Sequence, residues 1–229
     1  MNKKIINYIL LLFFSCFASF LIYNHFDYKI NIHEMDLSNI SKIMIVAHPD
    51  DEILWGGAHL IEDNYLVVCI TCGRNKTRVK EFDSVLKKTN DKYIMLGYPD
   101  KSFGKRNDWK ENYKNIYSDL KEIISLKDWD LIVTHNKNGE YGHIHHKLTS
   151  RIVTDIVKDN NNKYKLYYFG KYYTKTKIKK VEETLPKITE DILKQKLDLI
   201  NVYKSQDFIK KMFGHMNRYE NWEKYYKEN

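Results

Sequence analysis

Residues 42–52 read Lys42-Ile43-Met44-Ile45-Val46-Ala47-His48-Pro49-Asp50-Asp51-Glu52. The short, β-branched apolar run at 42–47 suits a buried strand of a parallel sheet. Its character recurs at residues 66–71, 93–96 and 131–134, and residues 163–169 read as a further strand. Residues 54–62, 77–88, 109–126 and 145–158, which lie between these strands, read as helices. In the third of them Tyr113, Ile116, Tyr117, Leu120, Ile123 and Ile124 recur at three- and four-residue steps, a stripe that packs on a core. This alternation predicts an α/β fold: a single doubly wound, Rossmann-like, mostly parallel sheet with helices on both faces and ligand sites at the carboxyl ends of its strands. Residues 172–187, rich in lysine and threonine, read as a loop or irregular strand, and 188–203 and 208–225 as closing helices. Neither an internal repeat nor a second folded domain is visible.

The chemistry-bearing residues follow two of the strands. His48-Pro49-Asp50-Asp51-Glu52 comes directly after the first, and Gly139-Glu140-Tyr141-Gly142-His143-Ile144-His145-His146 comes after the strand at 131–134. Taken alone, the first motif could be acids capping the next helix, and the second a chance run of histidines. Two adjacent carboxylates diverge, however, so one can bind a metal while the other faces a water. His143 and His146, three apart, share a helical face, whereas the adjacent His145 and His146 do not. A His/Asp/His set with an open position is a catalytic zinc arrangement. Glu52 reads as structural, and Gly56-Gly57 fits close helix–sheet packing better than phosphate binding. His135 reads as a supporting residue rather than a ligand, and Cys69-Ile70-Thr71-Cys72 as buried or incidental cysteines rather than a redox pair.

Ala47 to Glu52, the glycine pair behind it, and Gly142-His143-x-x-His146 resemble the PIG-L/LmbE-like family of zinc-dependent N-acetylglucosaminyl de-N-acetylases. Three weaker matches keep the family's order: Arg78-x-x-Glu81, Leu96-Gly97-x-x-Asp100 and Lys204-Ser205-Gln206. The resemblance implies one zinc ion per chain held by His48, Asp51 and His146, with Asp50 as general base. It implies that His143 stabilises the oxyanion and assists the leaving amine, that Tyr141 and Arg78 lie near the reacting carbonyl and the sugar, and that Asp100 accepts from a sugar hydroxyl. The substrate so implied is an N-acetylated sugar or glycolipid, such as GlcNAc-phosphatidylinositol or another glycoconjugate. Many members carry Pro-Asp where this chain has Ile144-His145, which opens the alternative of a catalytically weak glycan- or lipid-binding member. Another alternative is an amidase acting on a different acylated amine.

Lys3 and Lys4 precede the uncharged, apolar stretch 5–23. Its length predicts a single-pass membrane helix, with a cleaved signal peptide as the competing reading. The predicted organisation is therefore a membrane anchor at 1–25, a linker at 26–40 and a deacetylase domain at 41–229, the body lying on the extracytoplasmic or lumenal side. The 229 residues are 43% hydrophobic and 14% aromatic, enough for a packed core, and three cysteines cannot make a disulfide framework. Lys and Arg exceed Asp and Glu for a net charge of +8. Only five of the 38 basic residues are arginine (Arg74, Arg78, Arg106, Arg151 and Arg218). Base readout and phosphate clamping favour arginine, so nucleic acid is not an expected partner.

Overall fold

The computed structural model describes residues 4–16, 32, 34–161 and 163–226. The chain divides into two compact units, Met1–Asp36 and Leu37–Asn229. In the first, residues 4–16 form a solvent-exposed helix, α1. No helix among the described residues is long and apolar enough to cross a membrane. That overturns the predicted transmembrane anchor and, with it, the single-pass membrane localisation. The remainder of the predicted span, residues 17–23, lies outside the described residues.

The second unit is the predicted α/β sheet. Its elements are β1 (Lys42–Val46), α2 (Asp51–Glu62), β2 (Tyr65–Thr71), α3 (Lys76–Thr89), β3 (Lys92–Tyr98), a hairpin of β4 (Lys101–Ser102) and β5 (Lys105–Arg106), α4 (Tyr113–Ile124), β6 (Leu131–Thr134), α5 (Ile144–Asp159) and β7 (Leu166–Tyr168). They are followed by α6 (Lys175–Ile178), α7 (Glu190–Ile200), α8 (Phe208–Phe213) and β8 (Glu223–Lys224). The six-stranded sheet has the order β3-β2-β1-β6-β7-β8, parallel except for the β7–β8 pair. Strand order reverses between β1 and β6, which makes their carboxyl ends the expected ligand crevice.

Period-two alternation divides the buried strand residues between two faces. Met44, Val46, Val67, Cys69 and Val133 pack with Ile53, Leu54 and Leu60 of α2, Phe82 and Val85 of α3, and Leu199 and Phe213 of the C-terminal helices. Ile43, Ile45, Leu66, Val68 and Ile132, also fully buried, point the other way. On that side α4 and α5 pack together, with α5 against β1, β6 and β7. Cys69 lies in β2 with no exposure, and burial pushes its thiol well up, which suits the structural reading.

Helix α2 is broken at Gly56, whose backbone is non-helical (φ −141°, ψ 16°). A Cβ there would come within 2.5 Å of Met44 Cε of β1, the close helix–sheet packing predicted, whereas one at Gly57 would meet Ile53 Cδ1 of its own helix at 2.8 Å and Lys196 Cγ of α7 at 3.1 Å. The backbone groups released at the break find partners elsewhere. Lys196 Nζ donates to the Leu54 carbonyl (3.0 Å), the Ala58 amide donates to Glu220 Oε1 (2.8 Å), and Trp222 Nε1 donates to the Trp55 carbonyl (3.0 Å). Lys196 and Glu220 also pair directly at 2.5 Å, both buried.

The loop read at 172–187 contains the short helix α6, and other readings of the sequence also differ from the fold. Helix α4 begins at Tyr113 rather than at 109, because Trp109 takes a positive φ (54°) in the preceding turn. The closing segment 208–225 is a short helix, a 3₁₀ turn and an edge strand rather than one helix. The β4–β5 hairpin, turning through Phe103 and Gly104 at positive φ, has strands too short to show alternation.

Candidate active site

Both motifs lie at the strand-order reversal. His48 follows β1 in a short turn, Asp51 opens α2, His135 directly follows β6, and His143 caps the N-terminus of α5, which carries His145 and His146. Asp51 is the hub. Its Oδ2 accepts from the His48 amide (2.8 Å) and lies 3.2 Å from His48 Nδ1, while its Oδ1 lies 3.3 Å from His146 Nε2. Burial would raise the Asp51 pKa, but His146 and His135 outweigh it and hold the acid well below its usual range.

Fixed acceptors determine the tautomers. His145 Nε2 faces the Asn107 carbonyl at 2.6 Å, so it carries the proton, and burial keeps the ring neutral by lowering its pKa to about 3. Its Nδ1 therefore accepts from His48 Nε2 at 3.0 Å. Asp100 Oδ1, 3.2 Å away and paired with Arg106, is a second acceptor for the same proton. This leaves His48 Nδ1 as a lone pair facing Asp51. His146 is arranged in parallel: Nδ1 bonds Glu140 Oε2, and the buried Nε2 has no hydrogen-bond partner. Burial would lower the His146 pKa, but Asp51 and the hydrogen bond to Glu140 raise it; in the neutral ring the 3.3 Å approach of Nε2 to Asp51 is a contact between two acceptors, which a bound cation would relieve. Two imidazole lone pairs converging on one carboxylate are a donor set for a cation, and a carboxylate behind a ligand histidine is the usual support. The residues present thus fit a divalent metal ion.

The potential metal-binding groups among the described residues overlap at these side chains: His48/His143/His146, Asp51/His135/His146 and His48/Asp100/His145. The predicted trio is spread over the first two, which share His146. His135 Nε2 accepts from the Ala47 amide (3.0 Å), which occupies its lone pair. Burial would lower the His135 pKa, yet Glu140 and Asp51 push it up to about 9. The Ala47 amide, positioned by β1, is compatible only with an unprotonated Nε2, and the geometry therefore favours the neutral ring.

Asp50 stands beside this cluster, 7% exposed, with φ 109°. A non-glycine residue there is strained, and surrounding contacts must hold it. The Asp50 amide donates to Glu52 Oε2 (2.9 Å), Tyr203 OH donates to Glu52 Oε1, and Arg78 Nη2 reaches both the Pro49 carbonyl and Asp50 Oδ2 (3.2 Å). Glu52 is thus structural, through an amide and a hydroxyl rather than a cation. Burial and the neighbouring Asp51 push the Asp50 carboxyl up to about 7, against the opposing pull of Arg78. Two of the three weaker sequence matches meet here as well. Arg78 Nη1 donates to Ser205 Oγ (3.3 Å), and Ser205 donates to Glu81 through its amide (2.7 Å) and hydroxyl (2.6 Å).

His143 Nδ1 accepts from the His145 amide (3.2 Å), so the neutral ring carries its proton on Nε2. Its ring lies 4.7 Å from that of His48 and 4.6 Å from that of His146, and burial lowers its pKa to about 2. Tyr141, 40% exposed, borders the site with Phe213, Tyr172 and Trp55. The structure thus gathers His48, Asp50, Asp51, Tyr141, His143 and His146, with Asp100 beside His48. Arg78, only 6% exposed, abuts the site through Asp50.

The sequence left Glu140 unassigned. It bonds both His135 Nδ1 (3.0 Å) and His146 Nδ1, and its other oxygen accepts from the Asn136 amide (2.9 Å). Glu140 has φ 51° between Gly139 (φ 66°) and Gly142 (φ 102°), and the glycines flanking an acid were the available signal. Trp109 was missed too: its indole stacks on His145 at 4.0 Å and 5°.

The family model described as PIG-L, GlcNAc-PI de-N-acetylase, matches residues 43–157, a span containing both motifs. The chain belongs to this family. It is 31% identical over 193 residues to uncharacterized protein L374 of Acanthamoeba polyphaga mimivirus, covering 76% of each chain. Among solved structures, the A40926 pseudoaglycone deacetylase Dbv21 superposes with a TM-score of 0.56 at 14% identity, over 76% of this chain and 85% of that one. GalB, the 4-carboxy-2-hydroxymuconate hydratase from Pseudomonas putida KT2440, superposes with a TM-score of 0.51 at 13% identity, over 77% and 84%. At such identities these likenesses concern the fold alone, and a deacetylase and a hydratase share it.

Proposed function

We propose that this PIG-L family member is a metal-dependent hydrolase that removes the acetyl group from an N-acetylated amino sugar, of the N-acetylglucosamine type. The observation that carries the reading is the pair of imidazole lone pairs, His48 Nδ1 and His146 Nε2, aimed at Asp51 beside a second carboxylate, Asp50, held at about 7. His48, Asp51 and His146 would hold the ion, with zinc the best match to two imidazoles and a carboxylate. When bound, such an ion supplies positive charge that lowers the pKa of a nearby water towards ~7 and offsets charge developing on the amide oxygen.

The chain's own residues account for the proton transfers. Asp50 accepts the proton of the attacking water from its place beside the proposed ligand Asp51. Glu52 and Arg78 hold the strained Asp50 backbone and carboxylate in place. His143 presents Nε2–H and can hydrogen-bond the carbonyl oxygen as negative charge builds there. The carbon–nitrogen bond then breaks to give acetate, and the sugar amine leaves with the proton that Asp50 took from the water. Tyr141 and the aromatic rim border the acetamide and sugar ring. Asp100, partly exposed beside His48, is the sugar-hydroxyl acceptor in this reading. Arg78 acts on the substrate through Asp50 rather than by touching the sugar. GlcNAc-phosphatidylinositol fits the reading, as do other N-acetylglucosamine conjugates.

A hydratase reaction, such as the name of GalB on the same fold describes, is the second reading. Full-length protein, chelated and then reloaded with zinc, separates the two on a panel of N-acetylglucosamine conjugates. Acetate and free amine released in equal amounts only after reloading support deacetylation. Absence of both products from every conjugate by the loaded enzyme overturns it.

A further inference from the structure

On the far side of the Glu140 loop a groove of about 1280 Å³ runs between α5 and the β7–β8 edge of the sheet. Six exposed cationic side chains line it: Lys137, Lys147, Arg151, Lys158, Lys171 and Lys224. Only two acids, Asp155 and Glu223, share the lining. Of the six cations, Arg151 alone has a carboxylate within 4.0 Å among the described residues. The wall also presents tyrosine. Tyr168 and Tyr225 lie half-buried at 6.0 Å and 75° to one another, and Thr154 and Tyr168 share a 2.7 Å hydrogen bond. Helical spacing explains the cationic wall, since positions 147, 151, 154 and 158 of α5 fall on one face. From 147 to 158 that face extends about 16 Å at ~1.5 Å per residue.

Two segments separate this groove from the candidate active site, and both border each. In the first, Asn136–Asn138 line the groove, while Asn136 Oδ1 accepts from the Glu140 amide (3.3 Å) behind His146. In the second, Lys171 lines the groove, and its neighbour Tyr172 faces Tyr141 at 6.2 Å.

From this placement we propose that the groove binds an anionic saccharide chain, bearing sulfate or phosphate, that continues from the N-acetylated sugar at the catalytic residues. The inference rests on the deacetylase reading and names its substrate class. Charge selects an anion, and the tyrosines offer faces for sugar rings. Arginine-led phosphate clamps would favour a nucleic acid, but five of the six cations are lysine. The cations line a concavity rather than a flat or convex surface, which favours a chain over a membrane plane.

Direct binding by full-length protein tests this without requiring turnover. The probes are 6-O-sulfated chitotetraose, neutral chitotetraose, a single-stranded oligonucleotide, and vesicles of anionic phospholipid. The expected result is tightest binding of the sulfated oligosaccharide, weakening as salt shortens the ~8 Å screening length. The exposed triple change Lys158→Glu, Lys171→Glu and Lys224→Glu should reduce that binding at least tenfold while leaving acetate release from a short neutral conjugate unchanged. Equal binding of sulfated and neutral oligosaccharides, or no effect of the triple change, would overturn the proposal. So would tighter binding of the oligonucleotide or of the vesicles. If the wild type binds the sulfated probe as expected but releases no acetate from any conjugate, the deacetylase reading fails and the groove assignment stands.

Discussion

Replacing Lys196 by Met tests how the break in α2 is held, and the structure sets the size of the effect. Lys196 is buried, pairs with Glu220 at 2.5 Å and donates to the Leu54 carbonyl. Removing one partner of a buried ion pair costs about 3–5 kcal/mol. A second route agrees. Burial would raise the Glu220 pKa, but Lys196, His59 and the Ala58 amide lower it from the ordinary 4.5 to about 2. At ~1.36 kcal/mol per pKa unit this is worth about 3 kcal/mol. Because the folded-state value is the lower one, that stability is present above about pH 4.5 and is lost as pH falls from there towards 2. The double change Lys196→Met with Glu220→Leu is the sharper test. An ordinary buried pair can be exchanged for apolar residues at no loss. Here the exchange strands the Leu54 carbonyl and the Ala58 amide, each at about 1–3 kcal/mol, so the double variant stays at least about 2 kcal/mol less stable. Urea denaturation at pH 7, repeated between pH 3 and 5, measures both effects. A double variant as stable as wild type would refute the capping argument, and a wild type equally stable at pH 3 and 7 would refute the charge argument.

Two further outcomes follow from the site. Glu140→Gln replaces an acceptor shared by His135 and His146 with a group that also donates, so metal affinity measured by competition with a chelating dye should fall about 10–100-fold with the fold retained. His145→Ala removes the Asn107–His145–His48 relay and the stack on Trp109, so zinc affinity should fall about tenfold; unchanged affinity would assign the orientation of His48 to Asp100 alone.

The sheet was legible because strands buried on both faces appear as unbroken apolar runs, and β1, β2 and β6 are such runs. Both motifs were legible for the same reason, since each begins where one of those runs stops. Glu140 was not, because its role depends on a positive φ and a chain reversal that bring it back under His146. Lys196 and Glu220 were equally hidden: each looks like a surface charge until the Gly56 break, 140 and more residues earlier in the chain, supplies their partners. The apolar stretch 5–23 was read as a span from its length and hydropathy, whereas no helix among the described residues is long and apolar enough to cross a membrane.

Asp50→Asn tests the central claim most directly. The change is nearly isosteric, asparagine meets the same φ of 109° as the aspartate it replaces, and the three proposed metal-binding side chains are untouched. The account predicts that the variant, loaded to the same metal content as wild type, releases acetate from an N-acetylglucosamine conjugate with kcat lowered about 10²–10⁴-fold. Near-normal kcat at equal metal content would contradict it.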